Sequence, residues 1–225
     1  MLKDFFEKLH IIHNIYIKHK YFIKKNSYSM EEEDLFIADL TKDISNGFYV
    51  DVGCYHPLHL NNTYLLYKRK WNGINIDISE FSIKLFNFIR PDDININIAV
   101  TNKEEELQFY YQKKLSQLST IKKDLSNERM QGKIKQKKIQ SLKLNTILNK
   151  SKYKNKKIDF LNIDIEGADL EALQSIDFKI YQPKIICVEI MDKDISESLI
   201  YKFLTNLHYE KVWSSKSGFN HIFLH

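Results

Sequence analysis

The chain is poor in the residues that join separate domains or cross-link small ones. Only three prolines and six glycines occur among its 225 residues, which argues against several domains connected by flexible linkers. Two cysteines, Cys54 and Cys187, are too few for a disulfide framework and predict reduced thiols in a cytoplasmic protein. These shortages predict one domain with a terminal extension.

Long apolar runs are absent as well. No stretch approaches the roughly 18 consecutive apolar residues that a membrane-spanning helix needs, so we expect no transmembrane segment. Residues 1–25 contain apolar positions, but Asp4, Glu7 and Lys8 interrupt them, so this segment lacks the apolar core of a secretory signal. Because 43% of the residues are hydrophobic, the chain can still bury a sizeable core.

Glycine is scarce at the position where a dinucleotide-binding protein needs it most. Residues 48–52 form a short apolar run that ends at Gly53, as a buried parallel strand does when it meets a ligand loop. A bound pyrophosphate requires a glycine-rich turn there, whereas Gly53 is followed by Cys-Tyr-His-Pro at 54–57. The turn therefore favours a cofactor with a nucleoside but no phosphate, of which S-adenosylmethionine is the common example.

An acidic residue closes the next apolar run. Asp77 lies 24 residues after Gly53, about the distance at which a carboxylate accepts hydrogen bonds from the ribose hydroxyls of a bound nucleoside. The spacing alone also suits NAD. Only the glycine-poor turn separates the two interpretations.

Short apolar runs alternate with helical patterns through most of the chain. Such alternation predicts an α/β fold with a parallel sheet and right-handed crossovers. Predicted helices cover 61–69 and 81–88, and 207–213 with 219–224 form a closing hairpin. The other predicted strands are 48–52, 74–78, 94–100, 107–111, 139–144, 158–165 and 184–190, of which 107–111 and 139–144 are expected to pair.

Capping residues predict where two further helices begin or end. Ser29 and Glu32 have capping-box spacing, which predicts a helix that extends to Ile44 and is closed by Gly47. Asn145 is predicted to cap a short helix after the strand at 139–144.

The chain begins with apolar residues at helical spacing. They predict an amphipathic helix over residues 2–25 with basic flanks. Packing against the domain or a sister subunit would explain its apolar face, and contact with a membrane surface or partner helix is the alternative. We therefore expect an N-terminal extension, residues 1–28, and a domain, residues 29–225. The apolar residues of this helix are Leu2, Phe5, Phe6, Leu9, Ile12 and Tyr16.

Positive charge is concentrated in one part of the chain, the basic stretch at residues 112–157. It holds fifteen lysines or arginines and two acids, a net charge of +13, which leaves −8 on the rest of a chain of total charge +5. Such a stretch attracts phosphates, acidic sugars or an anionic surface, unless it is a solvated loop. Nucleic acid is not the expected partner, because Tyr153 is the only aromatic residue in the stretch.

Four acidic residues lie at or near the carboxyl ends of predicted strands: Asp51, Asp77, Asp164 and Glu189. Ionised carboxylates in apolar runs are costly unless they are paired or hydrogen-bonded. Ligands of open α/β sheets bind beyond these strand ends. We therefore expect the four carboxyl groups to converge on one crevice.

Six segments share an order and a spacing that is more specific than any one of them. They are Glu33-Asp34, FYVDVGCYHP at 48–57, Asn62-Thr63, WNGINID at 71–77, RPDDIN at 90–95 and LNIDIEGADL at 161–170. Over about residues 30–225, the chain resembles the FkbM family of S-adenosylmethionine-dependent methyltransferases. His56-Pro57 stands where many relatives carry a second glycine, which affects how the methionine end of the cofactor is held.

The resemblance implies a fold and an activity. The implied fold is α/β and Rossmann-like, with a mostly parallel seven-stranded sheet, helices on both faces and a C-terminal antiparallel hairpin. The implied activity is methylation of a hydroxyl group on a sugar or natural product, most plausibly during assembly of a surface polysaccharide. The alternatives are a lipid-linked or small natural product as acceptor, or a catalytically silent glycan-binding or scaffold protein of the same fold.

Chemistry and resemblance together predict a cofactor site for S-adenosylmethionine. Gly53 would let the backbone approach the cofactor, Asp51 would orient the methionine ammonium, and Asp77 would accept from both ribose hydroxyls. Apolar residues near the second and third strands would line the adenine pocket or simply pack in the core. The predicted cofactor-binding residues are Asp51, Gly53, Cys54, Tyr55, Asp77, Ile78, Ser79, Ala99, Val100 and Asp164.

Removal of the hydroxyl proton calls for a general base. Asp164 and Glu166 are candidates because they flank the end of a predicted strand on one side. His56 is the competing candidate because imidazole titrates near neutrality. The carboxylate pair would suit Mg²⁺ as an alternative, but the sequence supplies no dedicated cage and we expect no metal.

The acceptor is expected to be a sugar or glycan, either anionic or nucleotide-activated. An insertion within the basic stretch, residues 112–138, is predicted to fold over the substrate side of the site as a lid. The predicted substrate-binding residues are Asn62, Ser119, Thr120, Glu189 and His221.

Overall fold

A computed structural model of the protein describes residues 2–19 and 26–225. Its centre is a seven-stranded sheet in the order β3-β2-β1-β7-β8-β10-β9. Neighbouring strands are parallel except β10, which is antiparallel to β8 and β9. The predicted mostly parallel sheet with a C-terminal antiparallel hairpin is therefore confirmed. Its strands are β1 (Phe48–Val52), β2 (Asn72–Asp77), β3 (Ile94–Asn97), β7 (Phe160–Ile163), β8 (Ile185–Glu189), β9 (Glu210–Ser214) and β10 (Asn220–Leu224).

Helices cover both faces of this sheet. Side chains alternate across β1, so Val50 and Val52 pack on one face while Tyr49 packs on the other. Helices α6, α7 and α8 cover the first face, and α2 and α3 cover the second. The helices are α1 (Leu2–Ile12), α2 (Glu33–Leu40), α3 (Tyr64–Lys68), α4 (Glu80–Ile89), α5 (Lys123–Arg129), α6 (Leu144–Lys150), α7 (Asp169–Gln174) and α8 (Leu199–Asn206).

A second, three-stranded sheet has the order β4-β6-β5, with β4 (Ala99–Val100), β5 (Glu106–Tyr111) and β6 (Lys135–Leu142). The predicted strand at 94–100 is therefore two strands, since β3 pairs with β2 in the central sheet whereas β4 pairs with β6 in the second sheet. The predicted pairing of β5 with β6 is confirmed and is antiparallel. Because β6 begins at Lys135, the end of the insertion is a strand.

The predicted helix caps are wrong. The Ser29 hydroxyl donates to the Asp34 carboxylate (2.8 Å), and Glu32 precedes α2 in a left-handed conformation without a side-chain cap. Gly47 closes no helix, since α2 ends at Leu40, and a Cβ at Gly47 would lie 2.4 Å from the ring of Trp71. Asn145 lies inside α6, which follows Lys143 with no side-chain cap.

The N-terminal helix is confirmed in its first part. A π-helical segment, His13–Lys18, continues α1 directly, and the predicted helix over 20–25 lies outside the described residues. Within residues 2–19 and 26–225, no helix has the length and apolar character that a membrane span requires. Cys54 and Cys187 are buried free thiols, as expected.

Candidate active site

A cavity of about 870 Å³ lies at the carboxyl ends of the central strands. Asp51 of β1, Asp77 of β2, Asp164 after β7 and Glu189 of β8 all line it. The topology explains this convergence, because the four strands are parallel neighbours and their carboxyl ends share one edge. The expectation of a single crevice is thus confirmed.

Asp51 is buried and held by hydrogen bonds to its neighbours. One carboxylate oxygen accepts from Asn162 Nδ2 (2.9 Å), and the other accepts from Thr63 Oγ1 (2.8 Å) and Asn61 Nδ2 (3.2 Å). Burial raises the pKa of Asp51, and these donors oppose the shift. The carboxyl group is therefore fixed in orientation at the cavity wall.

Arg90 stands behind this network and was not assigned a role from the sequence. It is fully buried and donates to Thr63 Oγ1 (2.8 Å), Asn61 Oδ1 (2.7 Å) and the Pro57 carbonyl (2.7 Å). A buried guanidinium is stable only when such acceptors surround it. Arg90 consequently ties the loop after β1 to the side chains that hold Asp51.

Asp77 joins two backbone segments at the cavity. Its oxygens accept from the N–H groups of Ser79 (2.6 Å) and Tyr55 (2.8 Å). Burial raises the pKa of Asp77 to about 6. A carboxylate has about four acceptor positions, so Asp77 keeps acceptor capacity beyond these two bonds.

The structure requires glycine at position 53 for a reason other than the predicted one. Its backbone is left-handed (φ 83°), and a Cβ there would lie 1.8 Å from the Asp164 carbonyl oxygen. The residue must therefore be glycine because the loop after β1 passes directly against the end of β7. The expected approach to a cofactor is not what excludes a side chain here.

His56 does not border the cavity, contrary to expectation. Its Nδ1 accepts from the N–H groups of Leu58 (3.1 Å) and His59 (3.0 Å), so its proton lies on Nε2, which donates to Asn14 Oδ1 (3.2 Å). Burial, with positive neighbours, lowers the pKa of His56 to about 2. A fully buried ring of this kind orders the loop and cannot serve as a base near neutral pH.

Three further predicted residues also lie outside the cavity lining. Ser79 caps α4, and its hydroxyl donates to the Lys114 carbonyl (2.5 Å). Thr120 donates to the Glu166 carbonyl (2.8 Å). His221 is buried in β10, where Nε2 donates to the Gly218 carbonyl (3.0 Å). Each has a structural role that sequence spacing does not reveal.

The other predicted residues do line the cavity. Apolar side chains near β2 and β4 form one part of the wall, and polar ones from the loop after β1 and from the insertion form another. Glu33 and Asn162 line it as well, although no role was assigned to them from the sequence. The predicted lining residues not yet described are Cys54, Tyr55, Asn62, Ile78, Ala99, Val100 and Ser119.

Asp164, Glu166 and Glu189 form a carboxyl cluster in which one oxygen atom of each residue lies within 4.8 Å of one oxygen atom of the other two. Burial, together with the neighbouring carboxylates, raises the pKa values of Glu166 and Glu189 to about 7, and that of Asp164 well above its usual range. The Asp164 side chain is open to the cavity although protein surrounds it at longer range. Near neutral pH the carboxyl cluster therefore shares protons, and its oxygens are also the ligand type that Mg²⁺ prefers.

Comparison with known proteins identifies the family of the chain that carries this site. A family model described as the methyltransferase FkbM domain matches residues 51–211, from β1 to β9. The chain belongs to the FkbM methyltransferase family. No curated protein and no solved structure matches the chain.

The insertion of this FkbM methyltransferase forms part of the cavity wall. Ser116 to Ser119, Ile121 and Arg129 line it, and Arg129 forms an ion pair with Glu166 (2.5 Å). A second ion pair joins Lys122 to Glu171 of α7. These contacts attach the insertion to the segment after β7, which carries Asp164 and Glu166 of the carboxyl cluster.

Four lysines of the insertion lie outside the cavity. Lys133, Lys135, Lys137 and Lys138 do not line the cavity, and Lys138 pairs with Glu106 (2.6 Å). Arg129 is the only cationic side chain among the described residues that line it. The cavity of this FkbM methyltransferase is therefore acidic, with seven carboxyl groups from Glu33, Asp51, Asp77, Glu128, Asp164, Glu166 and Glu189.

Proposed function

We propose that the protein is an S-adenosylmethionine-dependent O-methyltransferase with a Rossmann-like fold, which methylates a hydroxyl group of an uncharged sugar during glycan assembly. The observation that carries this proposal is the single cavity that joins Asp77 to the carboxyl cluster, in a chain of a methyltransferase family. Two buried free cysteines are consistent with a reducing compartment, and we propose a cytoplasmic location.

The residues present fit the cofactor. A volume of about 870 Å³ is within the range of small-molecule sites, and its acidic lining suits a sulfonium cation. When bound, S-adenosylmethionine would supply an activated methyl group. The chain offers no glycine-rich turn for a pyrophosphate.

Each end of the cofactor has partners in the cavity. Asp77 would accept from the ribose hydroxyls with its remaining acceptor capacity. Ile78, Ala99 and Val100 would contact the adenine through apolar surface. Asp51 would hold the methionine ammonium, since its carboxylate is already oriented by Asn162.

The carboxyl cluster would take the hydroxyl proton. A general base works best when its pKa lies near the operating pH, and it contributes about 100-fold to 10,000-fold to the rate. Glu166 is engaged by Arg129, whereas no described side chain hydrogen-bonds the Asp164 carboxyl group and Glu189 Oε2 has no partner. We therefore assign the base to Asp164 with Glu189 beside it.

The charge of the cavity decides the class of acceptor. Seven carboxyl groups face one arginine there. Although the carboxyl cluster is partly protonated near neutral pH, the cavity lacks the cations that would bind a phosphate or carboxylate group, and its ionised carboxylates would repel such an acceptor at short range. This argues against the anionic or nucleotide-activated sugar expected from the basic stretch. An uncharged polyhydroxyl compound can use the same carboxylates as hydrogen-bond acceptors.

Calorimetry and a transfer assay test the proposal. The purified chain should bind S-adenosylmethionine and S-adenosylhomocysteine and ignore NAD. It should then transfer labelled methyl groups to neutral sugars in preference to phosphorylated ones, and EDTA should leave the rate unchanged. Preferential NAD binding would overturn the cofactor assignment. Cofactor binding without transfer to any acceptor would favour a silent glycan-binding protein.

A further inference from the structure

The outer face of α1 is an exposed apolar surface. Leu2 is 74% exposed, Phe5 57% and Phe6 58%, and Leu9 and Ile12 continue the same side of the helix at spacings of three and four residues. Tyr16 and Ile17 extend the surface into the π-helical segment. We call these seven residues the N-terminal apolar face.

The opposite side of α1 is firmly packed. Ile11 packs against an apolar cluster that contains Leu58, Phe81 and Leu85. His10 stacks on Phe81 with ring centroids 4.5 Å apart, and Glu7 forms an ion pair with Lys84 of α4. Since the helix is already attached to the domain, rotation cannot bury the N-terminal apolar face without breaking these contacts.

Lysines lie beside this face. Lys8 and Lys18 are exposed on the same segment. Lys114 and Lys18 both lower the pKa of His10, after burial, which places their charges close to α1. Lys113 and Lys114 also line a groove beside Glu7. Lysines from the helical segment and from the insertion therefore lie along the rim of the face.

From this combination we propose that the N-terminal apolar face docks on an anionic lipid surface. A helix with Phe and Leu on one face and lysines beside it lies in the interface of a bilayer, where the apolar face enters the acyl boundary and the lysines meet the headgroups. A second copy of the chain fits less well, because two such faces would bring lysine rims of like charge together.

Docking would also place the cavity near the lipid. Ser119 lines both the groove beside α1 and the large cavity. This part of the cavity wall therefore adjoins the docked helix. An acceptor held at the membrane surface would reach the cavity from this side.

Vesicle co-sedimentation of the full chain tests the proposal. Vesicles of 70% phosphatidylcholine and 30% phosphatidylglycerol should bind the protein, and vesicles of phosphatidylcholine alone should bind it at least about tenfold more weakly. Raising the salt concentration should reduce binding to the anionic vesicles. Equal binding to both vesicle types would overturn the role of charge and with it the proposal.

Two sets of variants separate the apolar contribution from the charge. Phe5→Ser with Phe6→Ser should weaken binding to anionic vesicles about tenfold or more, because two exposed aromatic side chains are lost. Leu199→Ser is the matched control, since Leu199 is 68% exposed on α8 and should leave binding unchanged. Lys8→Gln with Lys18→Gln should weaken binding about tenfold.

Sedimentation equilibrium tests whether a second copy of the chain occupies the N-terminal apolar face. The wild-type chain and the Phe5→Ser/Phe6→Ser variant should have the same mass in solution. A dimer that disappears in this variant, with no vesicle binding by wild type, would instead assign the face to a second copy. Circular dichroism of each variant confirms that α1 remains folded.

Discussion

The cavity wall and the basic stretch are both highly charged, but their charges are arranged in opposite ways. Apart from Asp164 and Glu166, the acids of the wall are far apart along the chain, and the fold brings them to one cavity. The cations of the basic stretch are close together in sequence, yet only Arg129 reaches that cavity. Whether a charged residue lies at the end of a strand therefore predicts its place in a binding site better than the density of charge along the sequence.

The two regions also differ in energetic cost. Asp77, Glu166 and Glu189 are half-buried and have raised pKa values, whereas a cation such as Lys138 lies in a solvent-exposed ion pair, which contributes little to stability. Natural sequences place costly, strained electrostatics where function requires them. The acidic wall is accordingly the region in which substitutions should change function.

The largest expected effect comes from Asp164→Asn. The variant should fold and bind S-adenosylhomocysteine, but its turnover should fall about 100-fold or more because the proton acceptor is lost. Glu128→Gln is the matched control, since Glu128 lines the same cavity from the insertion. Single-turnover kinetics with labelled cofactor measures both. Wild-type turnover in Asp164→Asn would remove it as the base.

Asp77→Ala should have the next largest effect, on cofactor affinity. Each hydrogen bond to a charged acceptor contributes about 1.5–3 kcal/mol, so loss of the ribose contacts should weaken binding at least about tenfold. Calorimetry with S-adenosylmethionine provides the measurement, and Asp92→Ala on the exposed surface is the control. Because Asp77 also accepts from Tyr55 and Ser79, thermal melting must show that the variant is folded. Unchanged affinity would place the ribose contact elsewhere.

Glu189→Gln should alter the pH dependence by a smaller amount. The pKa of Glu189 is about 7 in the folded chain and about 4.3 when unfolded, so between these values the folded state holds more protons. Stability therefore falls as pH rises from about 4.3 to 7. Urea unfolding at pH 5.5 and 8 should show a smaller decrease in the variant than in wild type. An identical decrease in both proteins would mean that Glu189 titrates normally.

Wild-type turnover should rise as pH increases through the raised pKa values of the carboxyl cluster, since the proposed base accepts a proton only when it is ionised. In Glu189→Gln, this rise in turnover should occur at lower pH. The substitution removes the negative charge of Glu189, which raises the pKa of the neighbouring Asp164. A pH profile of single-turnover rates gives the comparison with wild type.

The smallest effect should come from the basic stretch. Replacing Lys133, Lys135, Lys137 and Lys138 by Ser should change the acceptor KM less than about twofold, because their charges are exposed and outside the cavity. Arg129→Gln is the contrast, since it leaves Glu166 without its ion pair. A marked rise in KM for the four-lysine variant, with a strong salt dependence, would restore the anionic acceptor.

Much of the fold was predictable from the sequence, because local patterns determine it. The strand at 48–52 and the acid at Asp77 follow from apolar runs and their ends. The burial of Arg90 and the enclosure of His56 by Asn14 were not predictable, since they depend on contacts between distant segments. The pairing of Arg129 with Glu166 is of the same kind. In general, the predicted strand ends indicated where side chains converge. They did not indicate which side chains form ion pairs there or which are held outside the cavity.

The contact between Gly53 and the Asp164 carbonyl has a practical consequence for altering this enzyme. One backbone clearance, too small for a methyl group, sets the distance between the loop after β1 and the proposed base. Changes of specificity introduced on either side of that clearance will be transmitted to the other side. Libraries that diversify residues 53–56 and 164–167 independently should therefore yield few active members, whereas libraries in which both segments vary together can preserve the spacing.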